Sequence, residues 1–189
     1  MNLLEFYNNF LSEDIPNNLT KLVIFENDYS GGGYGFANGF SINTDYEVGL
    51  TYTDNPEFSK QLYPFAKAND TGSFYCIWDD KSERTLGEMP IVVFGDEGGI
   101  HIVAQNILEL MHLLTYDVEI FVSIEEVFFY KSEEYYQPSE YHNEYIALLK
   151  ADYNLEAITE AEMDNIIKDA QTKHKTSFDT WCSQFFDLS

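Results

Sequence analysis

The fold class this sequence predicts is α+β, and three observations predict it. Pro90 to Phe94 and Ile100 to Ala104 are short apolar runs on either side of Gly95-Asp96-Glu97-Gly98-Gly99, the pattern of an antiparallel hairpin. Immediately afterwards Ile107, Leu110, Met111 and Leu114 fall at i, i+3, i+4 and i+7, one stripe of an amphipathic helix. From Ser139 onward the apolar spacing is helical again. With 189 residues, 44% of them apolar and 16% aromatic, the chain suffices for a single domain, 1–189, with a sizeable core.

Taken in order, Leu3, Leu4, Tyr7, Phe10 and Leu11 have helical spacing and predict a first helix over 3–11. Ile15-Pro16 fits the opening of a second helix with Leu19, Leu22 and Val23 inward, but Leu22 to Phe25 reads equally well as a buried strand. The glycines of Ser30 to Gly35 predict a turn into a strand around Gly39 to Ile42. Asp54-Asn55-Pro56 has the form of a cap and first-turn proline, with Phe58 and Leu62 as the buried side of a short helix. Ser73 to Trp78 is an aromatic-rich strand, and Val118 to Tyr130 is apolar enough for one or two more. Glu133 to Glu140 reads as an exposed loop.

In the C-terminal third, Tyr145, Leu148 and Leu149 group on one helix. Thr159-Glu160-Ala161-Glu162 matches a capping box ahead of Met163, Ile166, Ile167 and Ala170. Phe178, Trp181, Cys182, Phe185 and Phe186 form a last stripe. Stripes this apolar must cover other apolar surface, so 139–189 is expected to be integral to the domain.

Charge narrows the partner class. Ten Lys and Arg stand against thirty-three Asp and Glu, a net charge of −23. Phosphate contacts need clustered bases, so the charge argues against nucleic acid and acidic membrane surfaces and favours cationic partners. The bases are also unevenly placed: Lys21 is the only one before Lys60, and none lies between Arg84 and Lys131. Two distant cysteines, Cys76 and Cys182, suggest neither a disulfide framework nor a zinc ribbon, which fits a reducing compartment. Met1 to Phe10 lacks a basic segment, and no apolar run reaches the roughly 18 residues of a membrane span. A cytoplasmic location is expected.

No catalytic pattern emerges. Gly33-Tyr34-Gly35 is followed by Asn38 where a dinucleotide fingerprint needs glycine, and no GK[ST] follows. Gly39-Phe40-Ser41-Ile42 ends in Asn43 and so misses the nucleophile elbow. His101, His112, His142 and His174 show no zinc spacing, and both cysteines are flanked by aromatic residues, as buried inert thiols are. Adjacent acids such as Glu125-Glu126 are expected by chance in so acidic a chain and are not the opposed pair of a glycosidase. Neither a metal nor a cofactor is expected.

One resemblance adds to this. Pro64-Phe65-Ala66, Gly72-Ser73-Phe74-Tyr75 with Trp78, Pro90 to Gly95, and Val103-Ala104-Gln105-Asn106 running into Leu110 resemble the SUKH superfamily. That is the family of Smi/Knr-type cell-wall-assembly regulators and related bacterial immunity proteins. The resemblance covers roughly Ile15 to Leu114, and Ile15-Pro16 and Gly31-Gly32-Gly33 only approximate the family's Leu-Pro start and Gly-Gly pair. It implies a central, mainly antiparallel sheet flanked by helices. It places Pro64 and Pro90 before strands and Phe65, Tyr75, Trp78 and Phe94 in the core. Many bacterial members act as immunity proteins that block a toxin, often a nuclease, while fungal relatives look like scaffolds.

The expected function is therefore binding and neutralisation of a cationic toxin domain by surface complementarity, not catalysis. A cell-wall or regulatory scaffold of the Smi/Knr type is the first alternative, and a small-ligand binder or enzyme whose site is not visible in the sequence is the second. The candidate contacts are Asp79, Asp80 and Glu83, the turn acids Asp96 and Glu97, and Tyr135 and Tyr136 as aromatic anchors.

Overall fold

The computed structural model describes residues 2–29, 35–45 and 52–187. Its elements are α1 (Leu3–Asn9), α2 (Asn17–Tyr29), β1 (Ser41–Ile42), α3 (Pro56–Ser59), β2 (Leu62–Lys67), β3 (Phe74–Trp78), a 3₁₀ turn (Leu86–Glu88), β4 (Ile91–Phe94) and β5 (Ile100–Ala104). There follow α4 (Ile107–Leu114), β6 (Ile120–Val122), β7 (Val127–Phe129), α5 (His142–Tyr153) and α6 (Glu160–Cys182). Strands β1 to β5 form one antiparallel sheet in sequence order, and β6 and β7 pair as a separate two-stranded sheet. The class is α+β, with a helical C-terminal segment.

The main sheet is covered on both faces, and its side chains divide between two cores. Along β3, Tyr75 and Ile77 join Phe6, Leu22, Phe36, Leu110 and Met111, whereas Cys76 and Trp78 join Phe58, Phe178 and Trp181. Along β4, Ile91 and Val93 face the first group and Val92 and Phe94 the second. The pleat alternates side chains between the two cores, so the strands are apolar throughout and show no polar face.

Each edge of this sheet has a side-chain hydrogen-bond partner. Helix α6 packs along β5, and Gln171 Nε2 donates to the Ile102 carbonyl at 3.3 Å. At 23 residues, about 34 Å long, α6 reaches from the first core, through Met163 and Ile167, to the second, through Phe178 and Trp181. At the other edge the buried Glu26 accepts the Ile42 N–H at 2.7 Å.

The hairpin β4–β5, the stripe of α4, the cap of α3 at Asn55 and the Thr159–Glu162 capping box all form as the sequence predicts. Residues 22–25, open between helix and strand, lie in α2. Three expectations are corrected. Leu62 opens β2 rather than extending α3, and Pro64 lies inside that strand beside a bulge at Pro64/Ala66. In α1 the inward residues are Phe6 and, just beyond the helix, Phe10, stacked at 5.2 Å; Leu4, Tyr7 and Leu11 are exposed. Phe185 and Phe186 fall beyond α6 and are only half-buried. The turn expected in Ser30 to Tyr34 lies outside the described residues.

Candidate functional site

The two-stranded sheet is built differently from the main one. Ser123 fixes a two-residue tip: its N–H donates to the Glu126 carbonyl at 2.9 Å, and its hydroxyl accepts the Glu126 N–H at 3.1 Å. Strands β6 and β7 then pair as Ile120 with Phe129, Phe121 with Phe128, and Val122 with Val127. Alternation sends Ile120, Val122 and Phe129 into the first core. Among the described residues the opposite face has no covering layer, and it is apolar. Phe121 is 52% exposed, Phe128 37%, Ile124 at the tip 67% and Tyr130 73%. The Phe121 and Phe128 rings lie 4.8 Å apart across the strands.

This hairpin is held against the β4–β5 turn. His101 Nε2 contacts the Ser123 carbonyl at 2.7 Å. Gly99, at φ +86°, passes so close that a Cβ there would stand 2.0 Å from the Ser123 oxygen. Only glycine serves at that position. Between the turn and the hairpin runs a cavity of about 450 Å³ lined by Asp96, Glu97, Glu119, Phe121, Phe128 and Tyr130, among others. Asp96 accepts from Thr71 Oγ1 and Ser73 Oγ, both at 2.8 Å. Burial opposes ionisation of Asp96, but the two hydroxyls outweigh it and hold the carboxyl below its ordinary value. Glu119 is shifted the other way, upward, chiefly by burial.

Glu119 and Tyr130 also line a second cavity of about 460 Å³ on the other side, with Tyr135, Tyr136 and Lys131. Its floor is Asp117, a fully buried carboxylate in a left-handed turn at φ +57°. Asp117 accepts from the Asn38 N–H at 2.9 Å, the Ser139 N–H at 2.9 Å, Ser139 Oγ at 2.6 Å and Tyr136 Oη at 2.7 Å. Tyr136 is thus tied into the fold, and burial together with this bond pushes its phenol pKa up. Lys131 lies 3.9 Å over the Tyr136 ring. Among the described residues Tyr135 bonds only through its backbone, and it is 77% exposed.

Comparison of the chain with models of protein families, with curated proteins and with solved structures finds no match.

The candidate residues divide into two groups. Asp96, Glu97, Tyr135 and Tyr136 line the two neighbouring cavities beside the hairpin. Asp79, Asp80 and Glu83 lie past the far end of β3, roughly 16 Å of strand away. There Asp79 pairs with Lys81 and Asp80 with Arg84, and of the three only Glu83 is exposed. Burial disfavours ionisation of Asp80, but Ser82 and Arg84 outweigh it and lower its pKa.

Sequence reasoning missed Glu119, Phe121, Ile124, Phe128 and Tyr130. The signal was present: a two-sided apolar run followed by the serine-anchored turn, with no second helix to cover the outer face.

The remaining reactive side chains are internal. Both cysteines are free and buried, and burial pushes Cys182 up to about 12 and Cys76 well above its ordinary value. Burial also holds His174 down to about 4. Among the described residues no three His, Cys, Asp or Glu side chains are grouped to hold a metal, and no helix is long and apolar enough to cross a membrane.

Proposed function

We propose that this chain is an immunity protein that binds a cationic, nuclease-type toxin domain and blocks it by covering its basic cleft, with the outer face of β6–β7 as the interface. The observation that carries this reading is the uncovered aromatic face of Phe121, Phe128, Ile124 and Tyr130 rimmed by Asp96, Glu97, Glu119, Glu125 and Glu126. Buried aromatic anchors inside a polar rim are the usual composition of a protein-binding hot spot. Carboxylates around it match a partner whose own cleft is built for phosphates. The resemblance to bacterial immunity proteins points the same way.

The reading is tested by co-expression with the protein encoded beside this one. The wild-type chain should rescue the cell from that protein's toxicity. A Phe121→Ala/Phe128→Ala variant, folded as judged by an unchanged melting curve, should lose the rescue. Unchanged killing with the wild-type chain rejects the pairing, and full rescue by the double variant moves the interface away from the hairpin.

A further inference from the structure

Among the described residues, the β6–β7 sheet carries outward backbone groups without a hydrogen-bond partner. The Ser123–Glu126 pair is hydrogen-bonded, so antiparallel alternation makes Phe121–Phe128 the next hydrogen-bonded pair. Residues 120, 122, 127 and 129 therefore direct their N–H and C=O groups away from the partner strand. On the β6 side Asn69 Nδ2 bonds the outward Ile120 carbonyl at 3.1 Å, and the Ile120 N–H and both groups of Val122 have no hydrogen-bond partner among the described residues. On the β7 side the N–H and C=O of Val127 and Phe129 have no hydrogen-bond partner among the described residues. Phe129 is nevertheless only 6% exposed.

In the main sheet, α6 packs along one edge, where Gln171 bonds the Ile102 carbonyl, and Glu26 bonds the Ile42 N–H at the other. Buried backbone groups are nearly always paired, and an unpaired strand edge is a template for another chain. Among the described residues, β6 is the only strand hydrogen-bonded to β7.

We infer that β7 is a strand acceptor: an extended segment of the cationic partner pairs with Val127 and Phe129 and adds a third strand to the β6–β7 sheet. This rests on the hairpin face being the interface and specifies how the partner engages it. Main-chain bonds to β7 supply register. Alternate side chains of the added strand fall beside Phe128 on the aromatic face, where the stems of Lys or Arg pack while their charges reach the acidic rim. A second copy of this chain is a poor occupant, because each copy carries a net charge of −23 and would bring like charge to the same rim.

The test uses an end-blocked peptide of about ten residues alternating Lys and Val, long enough for one strand, with two further versions N-methylated on every Val or on every Lys. The unmodified peptide should bind and slow hydrogen exchange at the Val127 and Phe129 amides about tenfold or more, leaving Phe128 unchanged. One of the two methylated versions should bind about tenfold more weakly than the other, the loss of one or two backbone hydrogen bonds. In the chain, Val127→Pro removes an outward donor without touching the Phe121–Phe128 bonds and should weaken binding similarly. Equal binding of the two methylated peptides, or binding without protection at Val127 and Phe129, overturns strand addition while leaving the face as the interface. No binding at millimolar peptide, or protection in the chain alone through dimerisation, also overturns it. The rescue experiment decides the functional reading separately, since it does not depend on how the partner pairs.

Discussion

At the scale of single residues, two buried carboxylates organise the fold, and neither is marked in the sequence. Asp117 collects five donors from Asn38, Tyr136 and Ser139, segments far apart in the chain, so its role exists only once they converge. Glu26 bonds the β1 edge, and burial raises its pKa from 4.5 to about 7 despite the Ile42 N–H it accepts. The folded state then holds the Glu26 proton more tightly than the unfolded chain does. Glu26 therefore costs nothing below about pH 4.5, and its contribution turns destabilising as pH rises toward 7. Glu26→Gln keeps an acceptor for Ile42 and removes the ionisation. The variant should match the wild type near pH 4.5 and exceed it at pH 8 by on the order of 3 kcal/mol, or roughly 6–12 °C in Tm for a chain of this size. Melting curves at the two pH values check this, and an equal offset at both refutes the assigned cause.

At the scale of elements, the second core depends on α6. Trp181 stacks on Phe58 at 4.9 Å and touches Trp78 and Phe178, both at 5.6 Å, so one helix joins α3 to the underside of β3. Trp181→Ala should cost about 3–5 kcal/mol, the range for truncating a buried tryptophan. In urea this should appear as a lower midpoint with an unchanged slope. A loss under about 1 kcal/mol would mean that α6 is peripheral. The stripe of α6 was legible because its exposed side is polar and leaves a 3.6-residue period, and α4 and the β4–β5 hairpin were legible through a stripe and a turn. Strand β2 was not. Leu62 to Lys67 is apolar toward both cores, so the two-residue period vanishes, and Pro64 argues against a strand unless its bulge is known. In α1 too many apolar residues compete for one inward face, and Phe6 and Phe10 occupy it by packing rather than by spacing. Of the interface, the acids and tyrosines were readable as types. Which of them share a surface was not, because Asp96 and Tyr135 are neighbours only through the cavities on either side of Glu119 and Tyr130.

At the scale of the whole molecule the deciding quantity is uncompensated charge. Seven of the ten basic side chains are already in ion pairs with carboxylates of the same chain, among them Lys21 with Asp152, Arg84 with Asp80 and Lys175 with Asp179. Lys131 lies over the Tyr116 and Tyr136 rings at 4.6 and 3.9 Å. These exposed pairs contribute little stability, but they remove local positive charge and leave the acidic excess to set the field. A cationic domain approaching the hairpin face is then steered over a distance set by screening, about 10 Å at 0.1 M salt and about 3 Å at 1 M. The association rate should fall about tenfold or more between those limits, while the dissociation rate, governed by the aromatic contacts and strand pairing, changes far less. Stopped-flow or surface-capture kinetics across a salt series separate the two rates. A flat association rate would mean that the acidic rim does not guide encounter, whereas a dissociation rate rising in step with salt would mean that ion pairs, not the apolar face, hold the complex.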